Sequence, residues 1–355
     1  RDPLWSRGLG DVYKRQLADT RSNMSGTWSV AATPDRYSSL RESMEKALEG
    51  KATLLYAQGC NVVYDEQEQK DGELGKTIAR GDDAQMEAEA LEVARQADVI
   101  VCAMGETADM SGECASRTDL RMPDAQRHLL AQLARTGKPV VLLNFSGRPT
   151  VLAWEQEHLP AIMNVWFGGS EAADAICDVI FGDKVPCGKL TASMPKTTGQ
   201  EPLYYNHLNT GRPVPDDNPR FAKFASNYLD VRNGALYPFG YGLSYTTFEY
   251  GPLQISADHT ATIRVTNTGS RAADEIVQLY IRDKVASISR PVKELKAFRR
   301  IHLAAGESQD VSFQITPDML KFYNADLKYV LEPGEFDIMV GPNSRDTKNG
   351  TIWVK

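Results

Sequence analysis

The periodicity of the apolar residues changes near residue 250, and this change is the strongest constraint on the fold. Before it, continuous apolar runs at 98–104 and 139–145 alternate with amphipathic segments of helical spacing. After it, apolar residues such as Val277, Leu279 and Ile281 alternate with other residues. Helices that alternate with buried strands predict a parallel sheet covered on both faces, whereas a period of two predicts half-buried strands. The sequence therefore predicts an α/β domain followed by an all-β domain.

The first region has the start and stop signals of an α/β fold. One helix is strongly amphipathic, because Met86 and Ala90 belong to a series of apolar residues at helical spacing. Gly137 and Gly182 are predicted to end helices, and Ser170 to cap one. We expect an α/β sandwich with a mostly parallel sheet over residues 18–249. The predicted helices span 37–48, 82–97, 123–136 and 170–181, and the predicted strands span 52–57, 98–104, 139–145 and 161–167.

The second region, residues 250–355, predicts a sandwich of short strands. Turn signals such as Pro333-Gly334 and Gly341-Pro342 separate its alternating segments, and several short strands in about 105 residues are typical of an all-β sandwich. The stretch 206–242, rich in Pro, Gly, Asn and Tyr, is too long for a bare linker and is predicted to pack over a surface. The predicted core includes Ile263, Val265, Leu279, Phe313, Phe336 and Ile338.

The charge of the chain argues against nucleic acid as a partner. The net charge is −7, and phosphate binding needs clustered Lys and Arg. The densest basic stretch, 293–300, is interleaved with Leu295, Ala297 and Phe298, which predicts an amphipathic strand with a solvated basic face. No apolar run approaches the roughly 20 residues that a membrane helix needs. We therefore expect neither nucleic-acid binding nor a membrane span.

The five cysteines have no spacing typical of a metal or redox motif. Cys102 and Cys177 lie in apolar runs and are predicted to be small core residues. We accordingly expect no metal and no cofactor. Residues 1–17 share no pattern with the rest of the chain and are interpreted as a foreign, scar-like leader; no signal peptide is visible in the chain.

A loop rich in carboxylates follows the first long apolar strand. It runs from 105 to 117 and contains Glu106, Asp109 and Glu113. In open α/β sheets, ligands bind beyond the carboxyl ends of the strands. Cleavage of a glycosidic bond needs one carboxylic acid to protonate the leaving oxygen and a second carboxylate on the other side of the sugar. The loop is therefore a candidate catalytic segment, and the alternative is that its acids only solvate a surface loop.

Several segments carry motifs that together resemble one enzyme family. The loop contains Ser-Gly-Glu-x-x-Ser-Arg at 111–117, followed by Leu-x-Met-Pro at 120–123. Further motifs lie at 26–29 (Gly-Thr-Trp-Ser), 166–171 (Trp-Phe-Gly-Gly-Ser-Glu), 206–213, 236–248 and 290–298. Over residues 17–355 these motifs resemble glycoside hydrolase family 3, and in particular its periplasmic β-glucosidase subgroup.

The resemblance implies an enzyme of three parts. A (β/α)₈ barrel comes first and supplies a nucleophilic Asp, an α/β sandwich follows and supplies the acid/base Glu, and a fibronectin-III-like domain ends the chain. This sequence resembles the second and third parts, at 18–249 and 250–355. We therefore expect the N-terminal barrel, and with it the nucleophile, to be missing from the chain, and we expect the chain alone to be inactive.

The resemblance also implies roles for individual residues. The acid/base position falls on Glu113, and Arg117 is predicted to brace the loop. Glu106 is the rival carboxylate. Trp28 matches a family aromatic that flanks the leaving-group sugar, and an indole ring suits the C–H face of a sugar. The alternative for Trp28 is an ordinary packed core tryptophan.

The resulting prediction is the C-terminal portion of a retaining, exo-acting β-glucosidase that hydrolyses terminal β-D-glucosyl residues. The expected partners are a β-glucoside or oligosaccharide substrate and the missing barrel, and the expected location is the periplasm or the outside of the cell. One alternative is a β-xylosidase or another exo-glycosidase of the same family. The other is a non-catalytic carbohydrate-binding or assembly module. The oligomeric state is left open by the sequence.

Overall fold

The computed structural model describes residues 17–29, 31–72, 78–215 and 222–355. The chain divides into two compact units between Lys184 and Val185. The predicted leader lies outside the described residues except for Leu17, which is fully buried in the core of the first unit. The domain boundaries that the sequence predicts, after residues 17 and 249, are boundaries between homologous segments. The division between Lys184 and Val185 is one between compact units, so it does not test them.

The first unit alternates helices with strands, as predicted. None of the helices in the described parts of the chain is long and apolar enough to cross a bilayer. The helices of this unit are α1 (Leu40–Leu48), α2 (Glu66–Asp71), α3 (Asp83–Gln96), α4 (Asp124–Ala134), α5 (Ala153–His158) and α6 (Ala172–Ile180). Its strands are β1 (Ile100–Gly105), β2 (Val140–Phe145) and β3 (Ala161–Asn164).

The strands of the first unit form a parallel sheet in the order β1-β2-β3. Ile100 pairs with Val140 and Gly105 with Phe145, so β1 and β2 end at the same level. Every residue of β1 is buried, as expected for a strand covered on both faces. The parallel sheet that the apolar runs predicted is confirmed, and the loops after β1 and β2 leave from one edge.

Helix caps explain where two of these helices begin. The Ser39 hydroxyl accepts a hydrogen bond from the Glu42 amide at 3.2 Å, and the Glu42 carboxylate accepts one from the Ser39 amide at 2.8 Å. This reciprocal cap starts α1 at Leu40 rather than at the predicted residue 37. Likewise, the Asp82 carboxylate accepts a hydrogen bond from the Gln85 amide at 2.8 Å and starts α3 where it was predicted.

The predicted strand at 52–57 is wrong. In the described residues this segment pairs with no strand, although Leu54 and Tyr56 pack against the core of the first unit. The apolar pattern correctly indicated burial of side chains. Burial alone does not supply a neighbouring backbone to complete a hydrogen-bond ladder, so periodicity could not identify this segment as an unpaired one.

Two boundaries at the end of the sheet also differ from the prediction. The strand predicted at 161–167 ends at Asn164, because Trp166 has a φ of 52° and a strand cannot continue through the left-handed region. Ser170 was predicted to cap α6, but the N-cap residue is Glu171, and no side-chain hydrogen bond caps this helix. The helices α2 and α5 are short and were not predicted. Cys102 and Cys177 are buried, as predicted.

The second unit is built of antiparallel strands. Its described strands are β4 (Phe248–Tyr250), β5 (Gln254–Ile255), β6 (Thr260–Asn267), β7 (Ala273–Asp283), β8 (Glu294–Leu303), β9 (Ser308–Gln314), β10 (Phe322–Tyr323), β11 (Tyr329–Val330), β12 (Gly334–Gly341) and β13 (Lys348–Val354), with the helix α7 (Pro317–Leu320) after β9. One sheet has the order β13-β12-β7-β8, and the other contains β4-β6-β5 with β9 also paired to β6. The strand predicted at 293–300 is confirmed from Glu294 onward as part of β8, but its predicted apolar face is not, since Phe298 is 61% exposed. The strand β13 was not predicted.

The core of the second unit matches the predicted set of residues. Alternating positions of β6 are buried, as a half-buried strand requires. All six predicted core residues, Ile263, Val265, Leu279, Phe313, Phe336 and Ile338, belong to one apolar cluster and are at most 2% exposed.

The segment before β4 packs onto this sandwich, as predicted for the stretch 206–242. Within its described residues, the Gly240 carbonyl accepts a hydrogen bond from the Gln278 amide at 3.0 Å, and Phe239 stacks on Tyr205 with ring centroids 4.2 Å apart. Farther back along the chain, Lys189 forms a buried ion pair with Glu275 of β7 at 3.0 Å. The described residues between 185 and 247 are thus part of the second unit.

Candidate active site

An open cavity of about 690 Å³ lies in the first unit, beyond the carboxyl ends of β1 and β2. Segments that are distant in the sequence line it: residues 25–28, residues 111–113, residues 147–148 and Phe167. The cavity therefore brings together two of the residues that the sequence singled out, Trp28 and Glu113. A cleft at this edge of a parallel sheet is a common location for a ligand.

Glu113 is exposed at the rim of the cavity. Among the described residues, no side chain or backbone group forms a hydrogen bond or ion pair with its carboxylate. Gly112 before it has a φ of 110°, and Cys114 after it has a φ of 61°. A residue other than glycine in this conformation costs of the order of 1–3 kcal/mol, and such strain is concentrated at functional sites. The backbone around Glu113 is therefore held in a shape that it would not adopt unaided.

Glu106, the rival carboxylate, has an entirely different environment. It is 2% exposed and lies directly after β1. It forms ion pairs with Arg148 at 2.9 Å and Arg117 at 3.4 Å. Its oxygens also accept hydrogen bonds from the Ser146 hydroxyl at 3.1 Å and the Gly147 amide at 3.3 Å. A carboxylate with this many donors and no exposure cannot reach a ligand in the cavity unless these contacts are broken.

Arg117 was predicted to support the loop. It contacts Glu106 at the start of the loop and the backbone just after its end. Besides Glu106, its guanidinium donates to the carbonyls of Asp119 at 3.1 Å and Arg121 at 3.4 Å. The Asp119 carboxylate is in turn held by Arg121, and this hydrogen bond lowers the pKa of Asp119 to about 2. Arg117 itself is not part of the cavity lining.

Arg148 is the residue at this site that the sequence reasoning missed. Its guanidinium donates to the carbonyl of Met110, and to the carbonyl of Ala115 at 2.7 Å, while it is paired with Glu106. A Cβ atom on the preceding residue, Gly147, would lie 1.8 Å from the Ser111 hydroxyl, so the turn approaches the loop too closely for a larger residue. The sequence did offer one indication of this role. Arg148 follows β2, and the loops after neighbouring parallel strands lie at the same edge of the sheet, here beside the acidic loop after β1.

Trp28 is 69% exposed, so the alternative of a packed core tryptophan is wrong. Its neighbour Thr27 donates its hydroxyl to the carbonyl of Ala108, and to that of Ser111 at 2.6 Å. These bonds tie the backbone beside Trp28 to the loop that carries Glu113. An exposed indole ring in an open cavity offers a flat apolar surface to a ligand.

The described residues contain no group of three or more His, Cys, Asp and Glu side chains that could hold a metal ion. The side chains that line the cavity offer a ligand an exposed carboxyl group and an aromatic platform, while the guanidinium of Arg148 is bonded to Glu106 and to backbone carbonyls of the loop.

Comparison with known proteins shows what this architecture resembles. Residues 11–245 match the sequence profile of the glycosyl hydrolase family 3 C-terminal domain, and residues 275–344 match that of a fibronectin type III-like domain. The chain is 42% identical to a periplasmic β-glucosidase from Salmonella typhimurium over 95% of its length. It is 37% identical to a β-xylosidase from Formosa agariphila over 91% of its length.

Solved structures agree with the sequence matches. A β-glucosidase from Listeria innocua, crystallised in complex with isofagomine, superposes with a TM-score of 0.83 at 34% identity and covers 99% of this chain. The chain spans about half the length of the proteins it matches: 45% of the Salmonella protein, 42% of the Formosa protein and 46% of the Listeria chain. An α/β domain followed by a fibronectin-III-like sandwich is thus confirmed as the fold class.

Proposed function

Since this chain belongs to glycoside hydrolase family 3, we propose that it supplies the general acid/base, Glu113, of a retaining, exo-acting β-glucosidase. The observation that carries the proposal is the contrast between the two carboxylates of one loop. Glu113 is exposed beside a cavity and free of partners among the described residues, whereas Glu106 is buried and paired. Only the first can approach a substrate and move a proton to and from it.

A retaining glycosidase works in two steps with two carboxyl groups. In the first step Glu113 protonates the oxygen of the departing group while a nucleophilic carboxylate attacks the sugar and forms a glycosyl-enzyme. In the second step Glu113, now a carboxylate, takes a proton from the water that releases the sugar. We propose that the nucleophile belongs to a (β/α)₈ barrel that this chain does not contain.

Trp28 suits the leaving-group side of the same reaction. Its ring is exposed in the cavity that Glu113 borders, and indole rings pack well against the C–H faces of sugars. We propose that Trp28 holds the sugar that departs, and that Arg117 supports the loop from behind. The hydrogen bonds of Thr27 keep the platform and the loop at a set separation.

The names of the similar proteins favour a glucoside as the substrate. A periplasmic β-glucosidase is 42% identical to this chain and a β-xylosidase is 37% identical, so a β-xylosidase remains the second candidate within the family. The similarity to a periplasmic protein favours the periplasm as the location. The candidate of another class, a non-catalytic carbohydrate-binding module, would leave the exposed Glu113 without a task.

The proposal is tested by mutation of Glu113 in the chain fused to the N-terminal domain of the Salmonella relative. We expect Glu113→Ala to lower kcat/KM for phenyl β-glucoside by about 10²- to 10⁴-fold, because this poor leaving group needs a proton. kcat/KM for 2,4-dinitrophenyl β-glucoside should change little. Azide should then restore turnover and yield β-glucosyl azide, since it attacks the glycosyl-enzyme without a base.

Two controls come from the same loop. Asp109→Asn removes another exposed carboxylate and should not respond to azide. Glu106→Gln removes the buried carboxylate and should respond far less than Glu113→Ala. Azide rescue of Glu106→Gln as large as that expected for Glu113→Ala, with no rescue of Glu113→Ala, would show that the wrong carboxylate was chosen. An unimpaired Glu113→Ala variant would contradict the role of the loop. The unfused chain should release no nitrophenol from aryl β-glucosides or β-xylosides, and turnover by the pure chain would contradict the proposed division of the active site.

A further inference from the structure

We propose that Arg148 is a positioning residue that sets the place of Glu113, and that Glu106 sets the place of Arg148. This inference rests on the proposed role of Glu113 as the acid/base. Arg148 follows β2 and Glu113 lies in the loop after β1, so the contact is made between two adjacent strand ends. Neither Arg148 nor Glu106 needs to touch the substrate for this role.

The hydrogen bonds of Arg148 enclose the position of Glu113 in the chain. Its guanidinium donates to the carbonyl of Met110, three residues before Glu113, and to that of Ala115, two residues after it. One planar group thus holds both ends of the short arc whose tip carries the carboxylate. A guanidinium has five N–H donors in a rigid fork, whereas an ammonium is a compact point charge. Both carbonyls accept from Nη2 while Nε meets Glu106, so lysine, with one nitrogen, would keep the charge but could not hold the arc and the Glu106 carboxylate in this geometry at once.

The arc needs such a grip because its backbone is strained. Between the two anchors, Gly112 and Cys114 both have positive φ, at 110° and 61°. The conformation at Cys114 costs of the order of 1–3 kcal/mol and persists only when surrounding contacts enforce it. If the anchors were loosened, the arc would relax and Glu113 would move away from the scissile oxygen.

Glu106 explains how Arg148 is itself kept in place. The carboxylate is buried and is oriented by the Ser146 hydroxyl and the Gly147 amide, both on the turn that carries Arg148. It meets the guanidinium at 2.9 Å. A buried ion pair is weak evidence for stability, because desolvation offsets the attraction. The pair is therefore better explained by the fixed geometry that it gives to Arg148 than by a gain in stability.

The loop has a second attachment, through Thr27, that acts on a different part of it. The Thr27 hydroxyl donates to the carbonyls of Ala108 and Ser111, both before Glu113. Arg117 reaches one end of the arc, since its guanidinium donates to the Met110 sulfur at 3.7 Å, and its other bonds go to Glu106, Asp119 and Arg121. Arg148 instead donates to backbone carbonyls on both sides of Glu113. Arg148 is thus a direct anchor that holds the backbone both before and after Glu113, whereas Thr27 holds it only before.

The test compares two substrates in the fused enzyme described above. We expect Arg148→Lys to lower kcat/KM for phenyl β-glucoside by about 10- to 100-fold, the scale of an error of about 1 Å in position. kcat/KM for 2,4-dinitrophenyl β-glucoside, which needs no protonation, should change little. The ratio of the two values does not depend on the fraction of correctly folded protein, so partial misfolding cannot imitate the result. Glu106→Gln should shift the ratio in the same direction but less.

The matched control is Arg127→Lys. Arg127 is also half-buried, but it donates to the carbonyl of Met122, outside the loop, at 2.9 Å; its ratio should be unchanged. Equal losses on both substrates in Arg148→Lys, or no loss, would overturn the inference. If Glu113→Ala shows the dependence on leaving group and Arg148→Lys does not, the inference alone fails. If Glu113→Ala lacks that dependence, the proposed function fails and the inference fails with it.

Discussion

The core of the second unit and the carboxyl edge of the sheet in the first unit bury different kinds of side chain. The core of the second unit is a cluster of aliphatic and aromatic residues contributed by alternating strand positions. The carboxyl edge of the sheet in the first unit buries polar groups instead, among them Glu106, Asn144 and Ser146. Apolar burial stabilises a fold in proportion to area, whereas buried polar groups stabilise only in a specific geometry. The apolar core of the second unit thus mainly stabilises the fold, whereas the polar groups at the carboxyl edge of the sheet mainly hold loop residues in place.

The sharpest way to test the apolar side of this comparison is Phe336→Ala. Phe336 lies on β12, is 1% exposed and belongs to the core cluster. We expect a loss of about 3–5 kcal/mol, from lost burial and the cavity left behind. Urea unfolding, with amide hydrogen exchange of β7 and β12, measures it.

Trp353→Ala provides the control for that substitution. Trp353 is a larger aromatic on the neighbouring strand β13, but it is 64% exposed. Its loss should cost no more than about 0.5 kcal/mol. Similar costs for the two variants would show that burial in this sandwich is not what stabilises it.

Gly105→Ala tests the geometric side of the comparison and should have an intermediate effect. Gly105 ends β1 with a φ of 126°, and an added Cβ would lie 2.0 Å from the carbonyl oxygen of Phe145. We expect a loss of at least about 2 kcal/mol, because the strained φ and the clash add. Thermal or urea unfolding checks this value.

The control is Gly137→Ala, after α4. Gly137 also has a positive φ, of 75°, but an added Cβ would meet no atom within 4 Å. Only the cost of the backbone conformation remains, about 1–2 kcal/mol. If the two variants are equally stable, close approach of the strand ends does not constrain the edge of the sheet.

Trp28→Ala should have the smallest effect on stability and a selective effect on activity. Because the side chain is 69% exposed, the free energy of unfolding should change by less than about 0.5 kcal/mol. In the fused enzyme, kcat/KM for a disaccharide should fall more than kcat/KM for an aryl glucoside with a small leaving group, because only the disaccharide places a sugar against the indole ring.

Trp154→Ala is the matched control for the activity. Trp154 lies on α5, stacks on His158 with centroids 4.4 Å apart and does not line the cavity. Its loss should affect both substrates alike. Equal losses on both substrates in Trp28→Ala, together with a lower melting temperature, would make Trp28 a structural residue.

The regular elements were predictable where one physical signal governed them. Runs of apolar residues identified β1 and β2, and alternation identified β6, β7, β9 and β12, because burial on two faces or one leaves these patterns. The segment 52–57 was misjudged because Leu54 and Tyr56 are partly buried against the core without a strand partner. The end of β3 was misjudged because the positive φ of Trp166 leaves no mark in hydrophobicity.

By itself the sequence determined the order of the two folds, the core of the sandwich, and which loop carries the acidic residues. The family resemblance favoured Glu113 over Glu106, but only the tertiary structure showed that Glu113 is exposed and Glu106 buried and paired, because pairing and exposure depend on which other loops arrive at the same edge of the sheet. Arg148 reached the site in the same way, from a neighbouring strand end. The local sequence pattern indicates which side chains of a segment are buried and which are exposed. Contacts between the loops after β1 and β2 depend instead on the parallel register, which places Gly105 and Phe145 at the same level.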